Sequence, residues 1–442
     1  MRTKVLHIIL FIVTLVGGRL SAQVPDDYRQ RREAALDSMR LVREQYVEDY
    51  WKRFRLFEAE RRPMRNKPQV QPIIDSDTSH TDLHFELQPP LTDTAKNATG
   101  IMSDYLPGRQ HDIHVLFYNL PSSFKVPDNT DDINLVSLTL AGQLASRGKA
   151  IQLNDWGLYL LAKRISDVVY PKQEKERMQL TVNLMNQLHY DVRMGKTERS
   201  YLLLVRTNCT VYGLPYIEFD GQRYYADGLS DGGHIYCDDR KATADVHPLD
   251  MRLSQTPQLK GDRVKFSGKN MGVGSGLIDF LADYPSVDIR IPASAAVSEP
   301  LMKMLRNHFL PTINTADPIA ALNSMLNFCQ TSFKYQPDVE QFGAERYFFC
   351  EENFRYPAND CEDRAILFAH MVREYLGFDV VLLDYPDHIT TAVCLPETQA
   401  SGHYITLNAR RYYLCDPTFR GARVGQLDKR FHNKKAKIIL TK

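Results

Sequence analysis

The sequence predicts an α+β fold in which a helix followed by an antiparallel sheet occurs twice, behind an N-terminal charged helix. Two observations carry this. Shifted by 188 positions, residues 173–228 lie over 361–416 without a gap, and eleven of the 56 pairs are identical; roughly three or four are expected by chance from typical composition. In each copy a run with helical spacing gives way to short β-rich runs, and the last two are separated by a tight turn. Asp191-Val192 meets Asp379-Val380, Tyr216-Ile217 meets Tyr404-Ile405, and Arg223-Tyr224-Tyr225 meets Arg411-Tyr412-Tyr413.

A chain of 442 residues exceeds one ordinary core and implies two or three domains. Its 55 Lys and Arg nearly cancel its 54 Asp and Glu. That balance leaves no electrostatic footprint for nucleic acid or an anionic membrane. Residues 1–22 read as a signal peptide. Arg2 and Lys4 precede an apolar run from Val5 to Val16, and Leu20-Ser21-Ala22 offers small residues for cleavage after Ala22. The run is short for a bilayer, so no integral span is expected after its removal. Export to a periplasm or beyond follows.

Residues 23–70 form the charged amphipathic helix, with Leu36, Met39, Val42, Tyr46 and Tyr50 at three- and four-residue steps. Its charged face suits water or a partner coil. Residues 71–110, rich in Pro, Thr, Asp and Ser, read as a linker. The first helix–sheet unit then occupies 111–230, a connecting region 231–310, and the second unit 311–442.

The second unit carries the candidate chemistry. Asn359 or Asp360 caps a helix that runs to Leu376 and stops at Gly377. Its apolar stripe is Ala365, Phe368, Val372 and Leu376, and Cys361 continues that stripe at the helix start. Unpaired N–H groups and the positive end of the helix dipole favour a thiolate there. After a strand over Asp379–Leu383, a turn delivers His388 to the start of the next strand. A hairpin then ends at Asp416, because Pro417 cannot extend a central strand. Cysteine, histidine and aspartate placed this way can converge: the imidazole takes the thiol proton, and the carboxylate orients the imidazole.

Residues from about 317 to 425, a quarter of the chain, resemble the transglutaminase-like superfamily of papain-like thiol enzymes. The match rests on Asp360-Cys361-Glu362-Asp363-Arg364-Ala365, on His388 and on Tyr412-Tyr413-Leu414-Cys415-Asp416-Pro417-Thr418. His388 follows Cys361 by 27 residues and Asp416 follows His388 by 28. The resemblance implies Cys361 as nucleophile, His388 as base and Asp416 as orienting acid, without cofactor or metal. It also implies a peptide or protein substrate whose amide is hydrolysed through a thioester. Protein crosslinking is one alternative, and a binding module with a vestigial triad is another. The stretch Leu395–Gly402 departs from the family pattern.

In the first unit Gln173, Ser200 and Gly228 stand at the triad positions, so that copy is expected to lack thiol chemistry. The Cys361 N–H is one candidate oxyanion donor, with Gln341 or Tyr335 as the second. Strand parity puts Cys394 and Cys415 on opposite faces, which excludes a bond between them. His111 with His114, and His234 with Cys237, lack the spacing of a closed zinc site. Gly272-Val273-Gly274-Ser275-Gly276 lacks the Lys-Ser/Thr of a phosphate loop and reads as a flexible turn.

Overall fold

A computed structural model describes residues 109–442 apart from 220, 229–234, 238–245, 267–268, 315–316, 398, 433 and 442. The expected signal peptide, the charged helix and nearly all of the linker lie outside the described residues. The described chain opens with a hairpin of β1 (Gln110–Phe117) and β2 (Leu120–Pro127). Tyr118 and Asn119 turn it with φ of 44° and 64°. Positive φ at both central residues matches the right-handed twist of the two strands.

Helices α1 (Ile133–Ala150), α2 (Asp155–Val169) and α3 (Glu174–Gln187) follow. The Asp132 carboxylate caps α1 by accepting from the amides of Asn134 and Leu135, and the Asn154 side chain caps α2 through Gly157. Strands β3 (Val192–Lys196), β4 (Tyr201–Arg206), β5 (Val211–Tyr212), β6 (Tyr216–Phe219), β7 (Gln222–Asp227) and β8 (Tyr236–Cys237) come next. Apart from β5 they form an antiparallel sheet of order β6-β7-β4-β3-β8.

The connecting region holds a hairpin of β9 (Arg263–Phe266) and β10 (Lys269–Gly274), then α4 (Ser275–Ala282), β11 (Ser286–Val287), α5 (Arg290–Ser294) and α6 (Glu299–Ile313). The glycine-rich stretch there is not a free turn, which corrects the sequence expectation. It joins β10 directly to α4, and a Cβ at Gly276 would meet the carbonyl oxygens of Lys260 and Tyr118 at 2.0 and 2.3 Å. The glycine is needed for close backbone packing.

The second unit begins with α7 (Pro318–Thr331), capped by Asp317. Then come β12 (Lys334–Tyr335), α8 (Asp338–Gln341), a 3-10 turn (Cys350–Phe354) and β13 (Ala358–Asn359), which pairs in parallel with β12. Helix α9 (Cys361–Leu376) ends at Gly377, whose φ of 68° suits a left-handed terminator. Strands β14 (Val380–Tyr385), β15 (His388–Cys394), β16 (Tyr404–Leu407), β17 (Arg410–Cys415) and β18 (Lys437–Leu440) form a sheet of order β16-β17-β15-β14-β18.

The two sheets share strand order, and their registers differ by the same 188 positions. Val192 faces Val205 where Val380 faces Val393. Val205 faces Tyr225 where Val393 faces Tyr413. Tyr216 faces Tyr225 where Tyr404 faces Tyr413.

Alternating residues of the second sheet serve two cores. Val380, Leu382, Ile389, Val393, Tyr413 and Cys415 join the main core with α9, whereas Val381, Leu383, Ala392, Cys394, Tyr412 and Leu414 build a smaller core on the opposite face. Cys394 and Cys415 are therefore separated by the sheet, as strand parity requires. Helix α9 exceeds the single apolar stripe expected of it. Every residue from Cys361 to Val372 is buried, because β14 and β15 cover one side and α5, α6, α7 and the 3-10 turn cover the others. Among the described residues no helix is long and apolar enough to cross a membrane.

His370 shows what this enclosure does to a titratable group. Nε2 contacts the Pro292 carbonyl at 3.0 Å, and Nδ1 faces the Arg373 guanidinium at 3.1 Å. Nε2 thus donates and Nδ1 must accept, so the neutral ring fits and a second proton does not. Burial, aided by Arg373, pushes its pKa down to about 3. A depressed histidine contributes its full stability above the unfolded value near 6.5 and loses it as pH falls toward the folded value. The loss is about 3 kcal/mol between pH 7 and 4. Urea unfolding at both pH values should show His370→Gln losing less stability on acidification than the native chain; equal losses would remove the buried imidazole as the cause.

Candidate active site

Cys361 is the first residue of α9, with Asp360 as its N-cap. Asp363 fixes this start: Oδ2 accepts the Asp360 amide at 3.3 Å and Oδ1 the Phe348 amide at 2.9 Å. Arg364 completes the turn by donating to Asn359 Oδ1 at 2.8 Å and the Phe333 carbonyl at 3.1 Å. The helix start is thereby bound to the segment leading into it.

His388 opens β15, and Asp416 lies one residue beyond β17. His388 Nε2 is 2.9 Å from Asp416 Oδ2. Asp416 is 1 % exposed, and its Oδ1 accepts the amides of Thr418 and Phe419 at 2.9 and 3.0 Å. With two backbone amides on one oxygen, the carboxylate faces the ring through the other, and an imidazole N–H on Nε2 fits that contact. The imidazole proton therefore sits on Nε2, leaving the lone pair on Nδ1. Phe431 stacks on the ring at 5.0 Å and 17°, fixing its plane.

The thiol lies against the start of the same strand. The Ile389 amide, next to His388, donates to Cys361 Sγ at 3.4 Å. The thiol itself donates to Glu362 Oε2 at 2.8 Å, not to the imidazole. The thiol proton thus faces a carboxylate in this structure. Dipole and N–H groups at the helix start favour a thiolate, but here they are opposed. Burial, then the carboxylates of Glu362 and Asp360, push the thiol well above its ordinary range, and the Ile389 amide acts the other way.

Gln341 and Tyr335 stand differently toward the site. Gln341 Nε2 is directed at the Ala358 carbonyl at 3.3 Å. Tyr335 pairs with Asn359 across β12 and β13, and its ring is 54 % exposed beneath the Arg364 guanidinium. The Cys361 and Asp360 charges raise its hydroxyl further, after burial.

Sequence reasoning did not single out Gln330, Phe431 or Asp338. Gln330, on α7, is buried, and Nε2 donates to the carbonyls of Asp416 and Ala422 at 2.8 and 3.0 Å while Oε1 accepts the Gly421 amide at 3.0 Å. A buried glutamine on a helix apolar at Leu322, Met325, Leu326 and Cys329 was the available signal. A separate cavity of about 530 Å³ is lined by Arg206, Arg223, Arg252 and Arg290 among others. Those arginines are paired with Asp191, Glu218, Asp250 and Asp288 respectively, and no lining residue comes from the second sheet.

Comparison with family models, curated proteins and solved structures found no match to this chain.

Replacing Gln330 with Leu keeps its volume but strands two carbonyls and an amide in the interior. The expected cost is about 3 kcal/mol, read as a lower urea midpoint. A change under about 0.5 kcal/mol would mean that the Asp416 loop holds its shape without this side chain.

Proposed function

We propose that the chain is a thiol-dependent acyl-transfer enzyme that hydrolyses peptide or Gln-type amides, with Cys361, His388 and Asp416 as its catalytic residues. The observation that carries this reading is the buried Asp416–His388 pair at 2.9 Å, set beside a helix-start cysteine whose sulfur receives the Ile389 N–H. In the reaction, His388 Nδ1 takes the Cys361 proton as sulfur attacks the acyl carbon. The imidazolium, stabilised by Asp416, then protonates the leaving nitrogen as the C–N bond breaks. Water, deprotonated by His388, cleaves the thioester and restores the thiol. The Cys361 N–H, at a position with no intrahelical acceptor, can meet the oxyanion.

The same reading takes the fold as papain-like and the two helix–sheet units as copies of one ancestral unit. Equal strand order and a constant register offset of 188 support common origin. In the first copy Gln173 precedes α3 without a side-chain capping bond, Ser200 bonds within its own turn to Thr197, and Asp227 is held by Lys163 at 2.6 Å. That copy is chemically silent. Processing by a signal peptidase and action outside the cytoplasm belong to the same proposal, as does a peptide or protein substrate.

Incubation of the protein with a glutamine-containing peptide and a labelled primary amine separates the alternatives. Hydrolysis should dominate, vanish in Cys361→Ala, and fall by about 10³-fold or more in Asp416→Asn. Dominant amine incorporation would make the enzyme a crosslinker. The thiol's bond to Glu362 favours a non-catalytic binding role, which predicts no turnover of either kind.

A further inference from the structure

The segment from Pro417 to Ala436 carries six cations, Arg420, Arg423, Lys429, Arg430, Lys434 and Lys435, against one carboxylate, Asp428, in a chain whose 55 basic and 54 acidic residues nearly cancel. All six residues are exposed. The segment starts next to Asp416: the Phe419 amide donates to Asp416 Oδ1 at 3.0 Å, and Arg420 follows directly. Its 3-10 turn (Lys429–Phe431) then brings Phe431 onto the His388 ring at 5.0 Å. Arg430 Cζ lies 5.4 Å and Lys434 Nζ 5.2 Å from the centre of the Phe431 ring. Each step, from imidazole to Phe431 and from Phe431 to a cation, is shorter than the screening length of about 8 Å at physiological salt.

The protein leaves most of this charge uncompensated. Arg430 pairs with Asp428 at 2.9 Å, and Lys434 stands 3.7 Å from the exposed Asp387. Among the described residues, Arg420, Arg423, Lys429 and Lys435 have no ion-pair partner. Solvated faces ordinarily intersperse both signs, whereas a field of one sign steers a ligand of the opposite sign and raises its local concentration. Here the field stands at the imidazole rather than on a remote face. Phe431, buried against Tyr385 and the His388 ring, anchors two of the cations there.

We propose that Arg420, Lys429, Arg430 and Lys434 select the substrate of the thiol chemistry, and that this substrate is a peptide segment carrying Asp and Glu beside the amide that is attacked. The inference rests on the catalytic reading of Cys361, His388 and Asp416. Side-chain carboxylates are the ionic and hydrogen-bonding match for these groups, and the Arg420 guanidinium, without an internal partner, can hold one through two parallel N–H bonds. Each exposed pair contributes little, so the selection is cumulative and sensitive to salt. A Lys-rich segment meets repulsion at the same rim. A nucleic acid would satisfy the charge but offers no peptide bond to the thiol.

Binding and turnover are read separately. Fluorescent peptides of one sequence around a central Gln, flanked by Glu, by Ser or by Lys, are titrated into the Cys361→Ala chain and followed by anisotropy, and the native chain is assayed for turnover of the same peptides. The Glu peptide should bind about tenfold more tightly than the Ser peptide, and the Lys peptide least. The difference should vanish in about 1 M sodium chloride, where the screening length is about 3 Å. Arg420→Glu combined with Lys429→Glu should remove the preference without lowering Tm, because neither side chain has an internal ion-pair partner, and Arg430→Gln should weaken it. Equal binding of the peptides, binding of none, an undiminished preference in both variants, or tighter binding of a single-stranded DNA of equal charge would overturn the proposal. Preferred binding of the Glu peptide without turnover by the native chain would support the rim's choice of ligand and overturn the catalytic reading.

Discussion

Enclosure of the first turn of α9 is the constraint on which the second unit depends. A helix start exposes unpaired amides and here carries Asp360, Glu362, Asp363 and Arg364, all of them buried. Each must find its partners inside the protein or be left at a cost. The segment between α7 and α9 supplies them: Phe348 offers its amide to Asp363, and Asn359 and Phe333 offer oxygens to Arg364. The path of residues 333–360 is thus shaped by the polar needs of one helical turn, and Cys361 inherits a fixed position from that network.

The sheet supplies the other half of the site through its edges. His388 is the first residue of β15 and Asp416 the first beyond β17, so neither interrupts the ladder, while adjacency of the two strands brings them together. Gln330 and Phe431 come from outside the sheet and fix the carboxylate loop and the imidazole plane. Glu362 accepts the hydrogen bond of the Cys361 thiol.

Much of this was legible in the sequence. Local periodicity and capping residues located α9, β14–β17 and the Gly377 stop, and the repeat anticipated a second sheet whose register follows the first. Strand parity placed Cys394 and Cys415 on opposite faces. What stayed hidden depends on segments distant in the chain. Periodicity reports one apolar stripe on α9, but its burial from Cys361 to Val372 arises from six neighbours that sequence does not order in space. The carboxylates of residues 338, 345, 360 and 362 come together from separate segments, a proximity that no local pattern announces. Gly276 read as a turn because its close approach to the Lys260 and Tyr118 carbonyls is a tertiary fact.

The proposed catalysis requires His388 to offset the burial and the carboxylates that raise the Cys361 thiol, which is 5 % exposed while Cys209 and Cys237 are partly open. Limiting iodoacetamide followed by peptide mapping tests this. Alkylation should fall first on Cys361 and lose that preference in His388→Ala. First labelling of Cys209 or Cys237, or an identical pattern in His388→Ala, would contradict it.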